Sequence, residues 1–243
     1  MRTSVFVMKT ALAGALLAGI AGAEGQKDLP AVKGIYLDRE HHPTMNGMRF
    51  DIVLQQPDGS KAEVPVTFDF HTGDRFWLRM DMRNSAYVYV LNRTLPGGDK
   101  GIEAVRIDDQ QRAPEPAQMP HLVFGPEKLN HGAARLAPKG KNMAMRFDRE
   151  TGVEKLYVIV SPKPLQLEAF FGADGKMAVD ATHHDAMQQL DQRLSEWNGN
   201  AQYAYPDKEG AKGIYQDNYG YCVERQPDRP FMFEITLNHG PKR

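Results

Sequence analysis

The chain has 243 residues, with 30 basic and 31 acidic side chains for a formal charge of −1, and a single cysteine. That balance argues against a dedicated nucleic-acid binder, which gathers basic residues on one face, and one cysteine excludes any intrachain disulfide. After the N-terminal segment no stretch is apolar enough to span a membrane.

Residues 1–23 read as a signal peptide. Arg2 and Lys9 supply positive charge, 10–20 (TALAGALLAGI) is a short apolar run, and Ala21-Gly22-Ala23 places small residues where a signal peptidase reads them. Cleavage is expected before Glu24. The run falls short of the roughly 20 residues of a spanning helix, and it holds no cysteine for a lipid anchor. The mature chain is therefore expected in the periplasm or outside the cell, with no membrane span. Removing residues 1–23 takes away Arg2 and Lys9 and no acid, which leaves 28 basic and 31 acidic side chains and a charge of −3. About 220 residues suit one domain with a core that needs no covalent staples.

Strand signals dominate the mature chain. In 48–54, Met48, Phe50, Ile52 and Leu54 alternate with Arg49, Asp51 and Val53, the period of a half-buried strand. Pro57-Asp58-Gly59 is a turn, with Pro presetting φ and Gly tolerating a positive one. Extended structure resumes at 61–68, where Pro65 implies an edge or a bulge. His71-Thr72-Gly73-Asp74 turns into an expected hairpin of 75–83 and 87–92, broken at Arg83, Asn84 and Ser85. Phe76, Leu78, Met80 and Met82 share one face of its first strand, opposite Arg75, Trp77, Arg79, Asp81 and Arg83. The return strand sets Tyr87, Tyr89 and Leu91 against Val88 and Val90.

Residues 94–101 and 108–120 are polar or Pro- and Gly-rich loops. Short strands are expected at 102–107, 121–124, 142–147, 154–160 (a central strand, apolar nearly throughout) and 231–238, with Phe231, Phe233, Ile235 and Leu237 inward. A helix over 183–198 is well specified, with Met187, Leu190, Leu194 and Trp197 in one stripe, Thr182 and Asp185 resembling a capping box, and Gly199 at its end. A second, shorter helix is expected over 164–171. Lys33-Gly34-Ile35-Tyr36-Leu37-Asp38 echoes Lys212-Gly213-Ile214-Tyr215-Gln216-Asp217; two six-residue matches make no repeat architecture.

The expected fold is mainly β: an antiparallel two-sheet β-sandwich-like domain carrying one clear helix.

Gly73-Asp74-Arg75, a strand, and then Ala86-Tyr87-Val88-Tyr89-Val90-Leu91-Asn92 resemble the core of a bacterial family catalogued as domain of unknown function 4384. Leu122-Val123-Phe124-Gly125-Pro126, Asn130 with Gly132, and Thr151-Gly152 through Glu154 to Leu156-Tyr157-Val158-Ile159-Val160-Ser161 come in the family's order, although Gly125 intrudes before the proline. The resemblance covers about residues 66–165 of a domain spanning 24–243, leaving 166–243 as a C-terminal elaboration. It implies an accessory module and carries over no catalytic residue.

Chemistry-bearing groups are few. His41-His42 and His183-His184 are adjacent pairs, not the i, i+4 or HExxH spacing of a helical metal site. Each reads best as a surface loop or helix start, and convergence of the two pairs is the condition for a shared metal. No nucleophile elbow or phosphate loop is present. Cys222, between Tyr221 and Val223, reads as a small half-buried residue. The stripe of Arg75, Trp77 and Arg79 mixes flat guanidinium and indole surfaces that can stack on sugars or grip acidic polymers. Against that stands burial of Trp77, with the arginines paired to cross-strand acids.

These features point to an exported, non-catalytic binding or assembly module of the bacterial envelope. It would bind a protein or polysaccharide partner, without nucleic acid and with no cofactor. The alternatives are a metal-dependent hydrolase with a His-based site and a structural envelope component.

Overall fold

A computed structural model describes residues 28–92, 102–106, 121–132, 134–140, 143–147, 151–167, 170–171, 183–206, 218–224, 226 and 228–241. The signal peptide and the loops expected at 94–101 and 108–120 lie outside these residues. So do Thr182 and the second copy of the Lys-Gly-Ile-Tyr echo.

In chain order the elements are α1 (Leu29–Leu37), β1 (Gly47–Gln55), β2 (Lys61–Val64), β3 (Phe70–His71), β4 (Arg75–Met82), β5 (Ala86–Asn92), β6 (Ile102–Arg106) and β7 (His121–Leu129). Next come β8 (Arg135–Ala137), β9 (Met143–Phe147), β10 (Gly152–Ser161), α2 (His183–Asn198), β11 (Ala201–Ala204), β12 (Gly220–Glu224) and β13 (Phe231–Gly240). Sheet A runs β11-β12-β1-β4-β9-β6, with β2 beside β1 and β8 beside β4; sheet B runs β3-β13-β10-β5-β7. All pairings are antiparallel except the short parallel contact of β3 with β13.

The alternating strands pack face to face. Met48, Phe50, Ile52 and Leu54 of β1 and Phe76, Leu78, Met80 and Met82 of β4 meet Val88, Val90, Leu156, Val158, Val160, Phe231, Phe233, Ile235 and Leu237 of sheet B in one apolar layer. The expected β-sandwich is thus the fold, and β10 is the central strand of sheet B. Each outer face has its own cover. On sheet B, Leu190, Leu194 and Trp197 of α2 seal Tyr89, Leu91, Tyr157, Ile159 and Met232. On sheet A, Val32 and Tyr36 of α1 pack on Ala204, Tyr221 and Val223.

Two local expectations change. The stretch 75–92 is not a hairpin: β4 pairs with β1, β8 and β9 in sheet A, and β5 pairs with β10 and β7 in sheet B. Its polar break is where the chain crosses from one sheet to the other, since both strands own an apolar face for the same core. The short helix at 164–171 reduces, among the described residues, to one turn closed by Phe170 N–H to Leu167 O at 2.9 Å. Leu167, Phe170 and Phe171 instead plug the outer face of sheet B beside α2. The first Lys-Gly-Ile-Tyr copy lies in helix α1, with Pro30 in its first turn, an element no periodicity announced.

Candidate functional site

The outer face of sheet A carries the stripe of Arg75, Trp77 and Arg79, and strand register sorts it into rows. Arg49 faces Asp81, Asp51 faces Arg79, and Val53 faces Trp77 across β1 and β4; Arg75 faces Arg146 across β4 and β9.

Three rows are internally satisfied. Trp77 is 2% exposed; its indole N–H donates to the Met143 carbonyl, the Lys61 ammonium lies 4.0 Å above its ring, and Val53, Ala144 and Leu136 surround it. Arg79 donates through Nε to Asp51 Oδ1 at 2.8 Å, through Nη2 to Asp51 Oδ2, and through Nη1 to Glu63. Its Nη2 also donates to the Tyr219 hydroxyl at 2.7 Å. Asp51 is fully buried, and burial pushes its carboxyl up to about 6 against the opposing pull of Arg79. Arg49 donates to Asp81 at 2.6 Å and lies 4.5 Å from the Tyr219 ring centre. Here the acids are already spoken for.

Arg83, the last member of the stripe, is almost fully buried. Its guanidinium donates to the carbonyls of Ile35, Asp38 and His42, which ties the end of α1 and the loop after it to the sheet crossing. Nearby, buried Glu224 accepts the Asn46 N–H, and burial lifts its carboxyl to about 7.

Arg75 belongs to different surroundings. It and Arg146 line a cleft of about 620 Å³ together with Gln55, Gln56, Phe68, His71, Thr72 and Asp74. Two tight turns build the walls. Gly73 (φ +87°) takes the third position of the His71–Asp74 turn, where a type II turn demands positive φ, and Asp74 N–H donates to His71 O at 2.9 Å. Gly59 (φ +84°) closes the Pro57-Asp58 turn through its N–H to Gln56 O at 2.9 Å. The first wall is anchored to both sheets: Thr72 N–H donates to Gly240 O of β13 at 2.9 Å, and Gly73 N–H to Phe147 O of β9 at 3.1 Å. In the inter-sheet core Phe76 stacks on Phe147 at 4.8 Å and Phe70 lies 5.1 Å from Phe147. The Asp74 carboxylate accepts the His71 backbone N–H at 2.9 Å and lies 3.8 Å from His71 Nδ1.

The two histidine pairs belong to different elements. His41 and His42 come after α1 outside sheet A, while His183 and His184 open α2 outside sheet B. His41 Nδ1 instead contacts Asp38 Oδ1 at 2.9 Å. Among the described residues no group of three or more His, Cys, Asp or Glu could hold a metal ion. Cys222 is fully buried in the inter-sheet core, deeper than the half-burial expected, and burial raises its thiol pKa. No helix among the described residues is long and apolar enough to cross a membrane.

Neither family models nor curated proteins nor solved structures give a significant match to this chain. The cleft is therefore read from its own geometry. Of its lining, sequence patterning singled out Arg75 alone. Arg146 shows as an outward residue of 142–147, but its pairing with Arg75 depends on a register across about 70 residues of chain. The one signal for His71 and Asp74 was their Gly-containing turn.

Proposed function

We propose that the chain is an exported, non-catalytic binding module of the bacterial envelope, and that it binds through the Arg75–Arg146 cleft. The observation that supports this most is the make-up of that cleft. Its lining holds two arginines, side-chain amides, a hydroxyl and the half-buried ring of Phe68. Such concave sites with a few placed polar groups are how small ligands are held. The serine, threonine or cysteine with an adjacent base that acyl transfer needs is not among its lining residues: Thr72 is the sole hydroxyl, and it donates to Gly240 O at 3.2 Å. The resemblance to the unknown-function family and the signal-peptide reading of residues 1–23 both fit an exported accessory module.

The test is a glycan and peptide array probed with the processed chain and with Gln56→Trp, which fills the rim of the cleft. Binding that disappears in Gln56→Trp supports the proposal. An array that stays blank, or binding untouched by the block, removes it.

A further inference from the structure

We propose that the ligand of this cleft is an uncharged glycan, with one sugar ring laid on Phe68 and its hydroxyls held by the amides of Gln55 and Gln56. This rests on the cleft being the binding site and adds the chemical class it accepts.

The lining divides into groups the fold already uses and groups it leaves for a guest. Arg75, Arg146 and His71 each interact with other parts of the chain. The Asp74 carboxylate accepts the His71 N–H at 2.9 Å, and the Thr72 hydroxyl donates to Gly240 O at 3.2 Å. A charged ligand would compete with these contacts for the groups it needs. Gln55 and Gln56 are half-buried and are held through their backbones. Gln55 is the register partner of Lys61 in β2, and Gln56 N–H donates to Ser60 O at 2.8 Å. Their side-chain amides have no hydrogen-bond partner among the described residues. Each amide carries an acceptor oxygen and a donor nitrogen on one planar group, which suits two neighbouring hydroxyls, one donating and the other accepting.

Phe68 supplies the apolar wall. Its ring is half-buried and packs against the inter-sheet core, in an edge-to-face contact with Phe70 at 5.2 Å, and its backbone N–H donates to Pro65 O at 3.0 Å. The ring is therefore oriented before a ligand arrives, which spares part of the ordering cost of binding. A pyranose presents C–H groups on a face and hydroxyls round its edge, so a flat apolar surface beside primary amides is complementary to it. An extended peptide is gripped along a strand edge, whereas both walls here are turns closed by their own backbone hydrogen bonds. A volume of about 620 Å³ sits in the usual range for small-ligand sites.

Titration calorimetry of the processed chain tests the class. The probes are cellotriose, maltotriose and triacetylchitotriose as uncharged glycans, trigalacturonate as an acidic one, and acetyl-trialanine amide as a peptide. At least one uncharged trisaccharide is expected to bind at least tenfold more tightly than trigalacturonate and the peptide. Its affinity should change less than twofold between about 0.05 M and about 0.5 M salt, since no ion pair forms. Phe68→Leu, which keeps apolar bulk and loses the flat face, should lower that affinity at least tenfold, and Gln55→Ala at least threefold. A melting curve for each variant separates loss of binding from loss of fold. Trigalacturonate or the peptide bound as tightly, and lost in Gln56→Trp, would overturn the uncharged glycan while leaving the binding site standing. No binding of any uncharged trisaccharide at millimolar concentration, or binding indifferent to Phe68→Leu and Gln55→Ala in folded variants, would overturn the proposal outright.

Discussion

Arg79 holds the buried Asp51 through two hydrogen bonds from one guanidinium, Nε to Oδ1 at 2.8 Å and Nη2 to Oδ2, between residues directly opposite on β4 and β1. The pair is a structural element of sheet A. Arg79→Ala strands a buried carboxylate and should cost about 3–5 kcal/mol, read as a drop in urea midpoint. Asp51→Asn should cost less, because Asn keeps an acceptor for Arg79 and removes a carboxyl that burial already disfavours as an anion. A similar cost for both would place the energy elsewhere than in the uncompensated charge.

Trp77→Phe keeps a flat ring and loses the N–H to Met143 O. The expected loss is about 1–2 kcal/mol from the carbonyl left without that donor, with ligand binding at the cleft unchanged. A variant as stable as the native chain that has lost binding would return Trp77 to the contact surface.

Arg83→Ala withdraws the donors of three backbone carbonyls at the end of α1. Hydrogen bonds to charged groups contribute about 1.5–3 kcal/mol each without adding in full, so a loss of about 3 kcal/mol or more is expected. Amide exchange should quicken first over residues 35–46. Uniform quickening across both sheets would show that Arg83 supports the whole sandwich instead.

Glu224 gives a pH signature. Its folded carboxyl, lifted by burial to about 7 from 4.5, keeps a proton that the unfolded chain gives up. Stability therefore falls as pH rises from about 4.5 to about 7 and levels off above. Glu224→Gln keeps an acceptor for Asn46 N–H and abolishes this dependence. Relative to the native chain it should gain on the order of 2–3 kcal/mol between pH 5 and pH 8, measured by urea unfolding at both values. A stability difference constant with pH would contradict the assignment.

Legibility in the sequence tracked the physics of periodicity. Alternation placed Phe76, Leu78, Met80 and Met82 in the core, and the stripe of Leu190, Leu194 and Trp197 placed α2. Periodicity tells which face a residue takes and nothing about its partner strand. Two strands three residues apart therefore looked like a hairpin, although each pairs in a different sheet. Helix α1 escaped because it is short, carries Gly34 in its middle and turns only Val32 and Tyr36 fully inward. Strand β12 escaped because all five of its residues are buried, so no alternation shows. At the site the outward placement of Arg75, Trp77 and Arg79 was readable. Their assignment, Trp77 and Arg79 to partners within sheet A and Arg75 to the cleft, was not, since it depends on Asp51, Met143 and Arg146 arriving from other strands.

The most direct test of the cleft as the working surface is amide chemical-shift mapping of the processed chain titrated with the tightest-binding compound from the glycan and peptide array. Shifts should concentrate at residues 54–59, 71–75 and 146, leaving α2 and the Asp51–Arg79 row unmoved. Shifts centred on another face, or none at saturating ligand, would contradict it.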